Sequence, residues 1–361
     1  RRLAVFLSIA LSSTLATSQA EQLGGPWQQQ NTGVDVQLRG ISAVSSDIAW
    51  ASGAKGTVLR TVDGGQHWEK VSVPNAEALD FRDVQAFAPN TAFVLSIGPG
   101  EQSRIYQTSD GGKHWQLQFT NKDPKAFYDC FAFWDDKHGI ALSDSVDGKF
   151  PLIATTDGIN WNPVAVKEMP AALPSEGAFA ASGTCIATFG KNDVWFATGG
   201  PAARVFHSSD RGATWTAAET PILHGAASQG IFSVVFWSHR DGLIVGGDYQ
   251  DSGRTGSNAA VTHNGGKSWK LSARFPQGYR SGLGMWTSPK MIWVAVGTSG
   301  TDFSDVGGLT WSTARFDDKP WTHSDAYAYN AVSCSKTVCW AVGPYGRIGW
   351  LREPRSLIQL K

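Results

Sequence analysis

The sequence predicts an all-β fold, a seven-bladed β-propeller, on three observations. A turn phrase of the form Ser/Thr-x-Asp-x-Gly-x-x-Trp occurs six times, the copy from Thr155 to Trp161 being one residue short. Its tryptophans, Trp68, Trp115, Trp161, Trp215, Trp269 and Trp311, lie 47, 46, 54, 54 and 42 residues apart, a period typical of propellers and other arrays. Upstream of each copy, and once more after the last, comes an uncharged strand-like run, so the buried-strand element occurs seven times.

Each unit can be justified from its own residues. The run Ile48-Ala49-Trp50-Ala51-Ser52-Gly53 is small and apolar; its counterparts include Val194 to Gly199 and Ile292 to Gly297. Such a run suits a strand buried on both faces. A shorter strand precedes it, such as Ile41 to Val44, and Thr57 to Thr61 follows it with alternating polarity. The phrase Thr61-Val62-Asp63-Gly64-Gly65-Gln66-His67-Trp68 then makes a tight turn. Its carboxylate can accept backbone N–H bonds, and its glycines supply positive φ. The tryptophan returns to the core, where burying roughly 150–250 Å² contributes on the order of 4–6 kcal/mol as an upper bound. Asp63, Asp110, Asp157 and Asp210 hold the acidic position, Asn264 replaces it in the fifth copy and Val306 in the sixth. A position that tolerates this loss locks a turn; it does not carry shared chemistry. Four strands per unit and seven units make the ring.

The seventh unit lacks its turn phrase. The segment Gly25-Pro26-Trp27-Gln28-Gln29-Gln30-Asn31-Thr32 resembles an outer strand with its Trp, and is expected to complete the last blade and close the ring. The expected organisation is a signal peptide over residues 1–20 and a single propeller over 21–361. Its blades fall roughly at 36–74, 79–121, 127–166, 179–220, 230–275, 280–316 and 327–353, the last with 25–33. Arg1-Arg2, the short apolar run Leu3 to Leu15 and the small residues at Ser18 and Ala20 fit a secretion leader cleaved near Ala20, which implies a periplasmic or secreted protein. No other stretch is long enough for a membrane-spanning helix.

Without residues 1–20 the chain carries 29 basic and 31 acidic residues, a balance that argues against nucleic-acid binding. Of the four cysteines, Cys334 and Cys339 bracket a short hairpin loop and are expected to form a disulfide; for Cys130 and Cys185, on matching first strands, a bridge and two buried thiols both remain open. The eight histidines are scattered without zinc spacing, so no metal and no cofactor are expected.

Propeller connectivity puts the turn phrases and the loops between first and second strands on one face. The longer, chemically varied loops and the crossings between units occupy the other, and variable loops on a rigid scaffold carry function. On that face the rim of the central channel is expected to hold Arg39, Arg82, Asp83, Tyr128, Asp129, Arg280 and Tyr329, with Asp144, Asp248 and Tyr249 on the neighbouring loops. Such a rim can take an anion, a sugar or a peptide end.

The turn phrase is similar to the Asp-box or BNR repeat of sialidases and many non-enzymatic propellers. The single seven-unit ring with a secretion leader resembles, over nearly all the chain, the photosystem II stability/assembly factor family and its relatives in non-photosynthetic bacteria. That resemblance implies an exported, monomeric, non-enzymatic assembly or binding propeller, with a protein partner met through an arginine-rich patch. Only Arg39 and Arg82 sit at comparable first-strand positions; the other units carry Tyr128, Gly183, Phe232 and Tyr329 there. The expectation is a protein or a glycan or small ligand bound opposite the Asp-boxes. The alternative is a glycoside hydrolase, using Asp129 with Asp144 as paired carboxylates, or Arg39, Arg82 and Arg280 with a Tyr128 or Tyr329 nucleophile.

Overall fold

Small apolar runs and glycine turns, as the sequence pattern demands, build seven four-stranded antiparallel sheets in the computed structural model. The structure describes residues 27–71, 73–288, 290–313 and 328–351; the expected leader and most of the crossing after Asp317 lie outside them. Blade 1 runs Leu38–Ala43, Ala49–Gly53, Thr57–Thr61 and Glu69–Lys70, each strand paired with the next. The first strands of blades 2 to 7 are Asp80–Ala88, Tyr128–Phe133, Ile186–Phe189, Gln229–Phe236, Gly282–Trp286 and Ala331–Cys334. First strands of neighbouring blades approach one another around the ring and so form its inner wall.

The second strands show why the sequence closes a ring. All five residues of Ala49–Gly53 are buried. Trp50 faces blade 2, packing with Phe81 and Val94, whereas Ala49 and Ala51 face blade 7, packing with Trp340 and Val342. The period-2 geometry of a strand thus serves two neighbours at once. Apolar clusters of this kind fill all seven interfaces between successive blades, including that between blades 7 and 1. The interfaces are also bonded through polar groups along the inner wall. Ala86 N–H donates to Ser42 Oγ, Phe131 N–H to Asp83 Oδ2, and Ala43 N–H to Ser333 Oγ, at 2.9 to 3.0 Å.

The last blade takes its fourth strand from the N-terminal segment. Gln28–Gln30 pairs antiparallel with Ile348–Trp350. Gln30 there repeats the work of Gln118 on the outer strand of blade 2. The Trp68 indole donates to Gln30 Oε1 at 2.8 Å, and the Trp161 indole to Gln118 Oε1 at 3.0 Å. Each glutamine amide in turn donates to a glycine carbonyl of the next Asp-box, Gly64 or Gly158. Trp27 is buried and donates to Thr301 Oγ1.

The structure joins Cys334 to Cys339 across the first hairpin of blade 7, and Cys130 to Cys185 between blades 3 and 4.

Candidate functional site

The Asp-boxes are turn locks. In the first, Thr61 Oγ1 donates to Asp63 Oδ1, which also accepts the His67 amide, while Gly65 N–H donates to Thr61 Oγ1. These bonds, led by the His67 amide, pull Asp63 down to about 2; Asp110 is held at about 2 by the equivalent His114 amide. Asn264 accepts the Ser268 amide in the same way, so an amide oxygen suffices. Four of the boxes dock on the loop between first and second strands of their own blade, as Gly64 N–H does on Asp47 O and Gly111 N–H on Asn90 O. Among the described residues no cluster of His, Cys, Asp and Glu suited to a metal occurs.

The opposite end of the inner wall is built by a recurring irregularity. Four of the first strands slip register at the same place, leaving Arg39, Arg82, Asp129 and Phe232 as the extra residue. A bulge of this kind re-aims the side chain of the inserted residue. It turns two guanidinium groups, a carboxyl and an aromatic ring toward one place from four blades. The crossing from blade 3 to blade 4, residues 177–184, lies over them. Arg39 Nη1 donates to Ala181 O at 3.2 Å and Arg82 Nη1 to Ala180 O at 3.1 Å, while Arg82 Nε pairs with Asp80 at 2.8 Å. Phe179 stacks on Phe232, with centroids 3.8 Å apart, and the buried Tyr279 meets Phe232 edge-on. Ser182 Oγ donates to Ser281 O of blade 6. One short stretch of chain thereby touches blades 1, 2, 5 and 6.

The electrostatics of this place are unusual. Burial, and then the like charge of Arg82, lower the pKa of Arg39. Asp83 is buried and its pKa is raised well above the carboxylate range, although the Phe131 amide opposes the shift. Burial, followed by the charge of Asp144, raises Asp129 likewise, and burial pushes Asp144 up to about 6. Desolvation favours the neutral carboxyl at Asp83, Asp129 and Asp144.

Of the residues expected at the rim, Arg39, Arg82, Asp83, Asp129 and Asp144 come together, and Tyr249 reaches the edge of Phe232. Others do not. Tyr128 lies in the core between blades 2 and 3 against Phe119, because the bulge falls one residue later and puts Asp129 at the arginine register. Arg280 is fully buried and pairs with Asp302, the Tyr279 carbonyl and Ser299. Tyr329 is buried against Trp27, and its hydroxyl accepts from Gln29. The first strands of blades 6 and 7 pair in unbroken register, so nothing turns these two residues toward the mouth. Asp248 is buried and locks its own loop by accepting from Gln229 and the Gln250 amide.

Asp129 and Asp144 are near enough for their charges to interact, but the crossing segment covers them. Ala178 N–H donates to Asp144 Oδ1 at 2.8 Å, and a Cβ on Gly177 would stand 2.5 Å from that oxygen. The amides of Asp144 and Ala180 face Asp129, whose Oδ2 has no partner. The crossing segment thus packs against both carboxyls. Phe179 and Tyr279, which sequence reasoning missed, are part of the site; the aromatic residue at Phe179 in a long crossing was the one signal that could have found it.

Seven closed blades with Asp-box turns define the class: a single-ring Asp-box propeller. Residues 19–138 match the family model described as photosynthesis system II assembly factor YCF48. The structure of YCF48 bound to D1 peptide is similar at a TM-score of 0.61 with 14% identity, covering 91% of this chain and 97% of that one. YCF48 from Cyanidioschyzon merolae is similar at 0.53 with 17% identity, covering 90% and 98%. No curated protein sequence matches the chain. The chain is a seven-bladed propeller similar to the photosystem II assembly factors.

Proposed function

We propose that this is an exported, non-enzymatic binding or assembly propeller that receives a protein segment on the face opposite the Asp-boxes. The observation that carries this reading is the pair of bulge-presented guanidinium groups, Arg39 and Arg82, on the inner wall, each bonded to a backbone carbonyl of a crossing segment. Arginines that already hold the carbonyls of one backbone turn have the geometry to hold those of another. A protein role also agrees with the similar YCF48 structure, in which that propeller is bound to a D1 peptide. The nature of the client in this chain's own cell is set by chemistry: a segment offering carbonyl or carboxylate oxygens beside an apolar side chain.

Affinity capture tests the proposal. Wild type, the double variant Arg39→Glu/Arg82→Glu, and Lys113→Glu/Lys267→Glu on the Asp-box face are each exposed to exported proteins of the native cell. A discrete partner should be retained by wild type and by the lysine variant, and lost by the arginine variant. Retention by all three would overturn the assignment of the face. Hydrolysis of fluorogenic glycosides, abolished by Asp129→Asn, would overturn the non-enzymatic reading.

A further inference from the structure

The crossing segment at the mouth is not built like the rest of the ring. Between Gly177 and Ile186 it forms no strand. It is held instead by the groups that the bulges present: Phe179 lies flat on Phe232, and the carbonyls of Ala180 and Ala181 accept Arg82 and Arg39. Phe179 is itself only partly buried. The segment is flanked by two glycines that seat it closely. A Cβ on Gly183, where φ is +74°, would lie 2.3 Å from Asp83 Oδ1. Beyond it the Cys130–Cys185 disulfide anchors the chain to blade 3, so the stretch can lift without releasing blade 4.

We infer that residues 178–182 are an intrinsic ligand that occupies the partner site, and that the partner is a peptide that turns after an aromatic residue and offers oxygen acceptors within the next two positions. The inference rests on the reading of this face as a binding face, and it names what that face binds. Three features support it. The sequence Phe179-Ala180-Ala181 supplies an aromatic anchor and two small residues whose value to the contact is in their backbone oxygens. The two guanidinium groups repel each other, so a neutral carbonyl is a weaker partner for them than a carboxylate would be. A tethered competitor acts at an effective concentration of about millimolar, so it blocks weak ligands and yields to strong ones. The segment therefore sets an affinity threshold for whatever binds there.

The probe is a synthetic peptide reproducing residues 176–184, capped at both ends, titrated into the full chain by fluorescence anisotropy. Phe179→Ala vacates the aromatic slot; Gly183→Ala loosens the segment from its other end. Both variants should bind the peptide at least about tenfold more tightly than wild type. The peptide should also raise their melting temperatures, which shows that they are folded. Adding Arg82→Gln to Phe179→Ala should weaken binding at least about fivefold, and the peptide with alanine for phenylalanine should not bind. Equal affinity for wild type and both opened variants, or no binding to any, overturns the intrinsic ligand. Should a captured partner still depend on Arg39 and Arg82 in that event, the binding face stands and only its occupation by residues 178–182 falls. A partner indifferent to both arginines removes the face itself.

Discussion

At the scale of single residues, carboxylates divide into two populations with opposite effects on stability. Those of the Asp-boxes are depressed: Asp63 and Asp110 sit at about 2, held by backbone amides. Such a group stabilises the fold fully above its unfolded pKa, about 3.9, and that contribution is lost as pH falls toward 2. Asp110→Ala should lower the melting temperature at pH 7, and Asp110→Asn should lower it less, since Asn264 accepts the corresponding hydroxyl and amide bonds without a charge. A matched loss for both variants would assign the carboxylate a role beyond its turn. Asp129 has the reverse sign. Its folded pKa is raised by burial, so the unfolded chain ionises first and stability declines as pH climbs past about 4 toward the folded value. Asp129→Asn should therefore raise the melting temperature at pH 8 and leave it almost unaltered at pH 4. Equal shifts in melting temperature at the two pH values would refute the buried neutral acid. The boxes were legible in the sequence because every bond in them is local. Asp129 was not, because its environment is made by Gly177 to Ala180, about fifty residues on, in the crossing that leaves its blade for the next.

At the scale of elements, strands were legible and their register was not. The run Ile48 to Gly53 announces a doubly buried strand from composition alone, and Trp50 and Ala51 do face opposite neighbours. The bulges at Arg39, Arg82, Asp129 and Phe232 leave no compositional trace. A slip of one residue there put Asp129 rather than Tyr128 at the mouth, and blades 6 and 7, which lack it, keep Arg280 and Tyr329 in the interior. The closing strand was readable because Trp27 and Gln30 copy the outer-strand pattern. Removing residues up to Asn31 takes away three paired residues and the partner of Trp68, and should lower the melting temperature by more than about 10 °C. A change of only a degree or two would mean that blade 7 is stable with three strands. The Cys130–Cys185 bridge ties the start of blade 4 to blade 3. Replacing both by serine should cost about 2–4 kcal/mol in denaturant unfolding. It should also speed amide exchange in residues 178–184 more than elsewhere; uniform acceleration would deny that segment its anchor.

At the scale of the whole molecule, no blade has a free face. Each is packed on two neighbours through apolar clusters, and the seventh interface is of the same kind as the other six. Unfolding should accordingly be a single event. Tryptophan fluorescence, from the 15 indoles of the described residues spread round the ring, and far-UV circular dichroism should trace superimposable melts. Two separated transitions would mean that some blades detach as a unit. Overall architecture was the most legible level of all, since a repeat count and one orphan strand determine a circle. The mouth depended on long-range geometry among four blades and a crossing, which no local pattern encodes. The seam has a further consequence for biosynthesis. Gln28–Gln30 leave the ribosome before any of the strands of blades 1 to 6 and must wait for Ile348–Trp350. Until then the growing product is a crescent whose two horns end in unpaired strand edges, the kind of surface that recruits proteases and neighbouring chains. An interrupted copy thus advertises its own incompleteness, and only a finished one hides both horns by joining them.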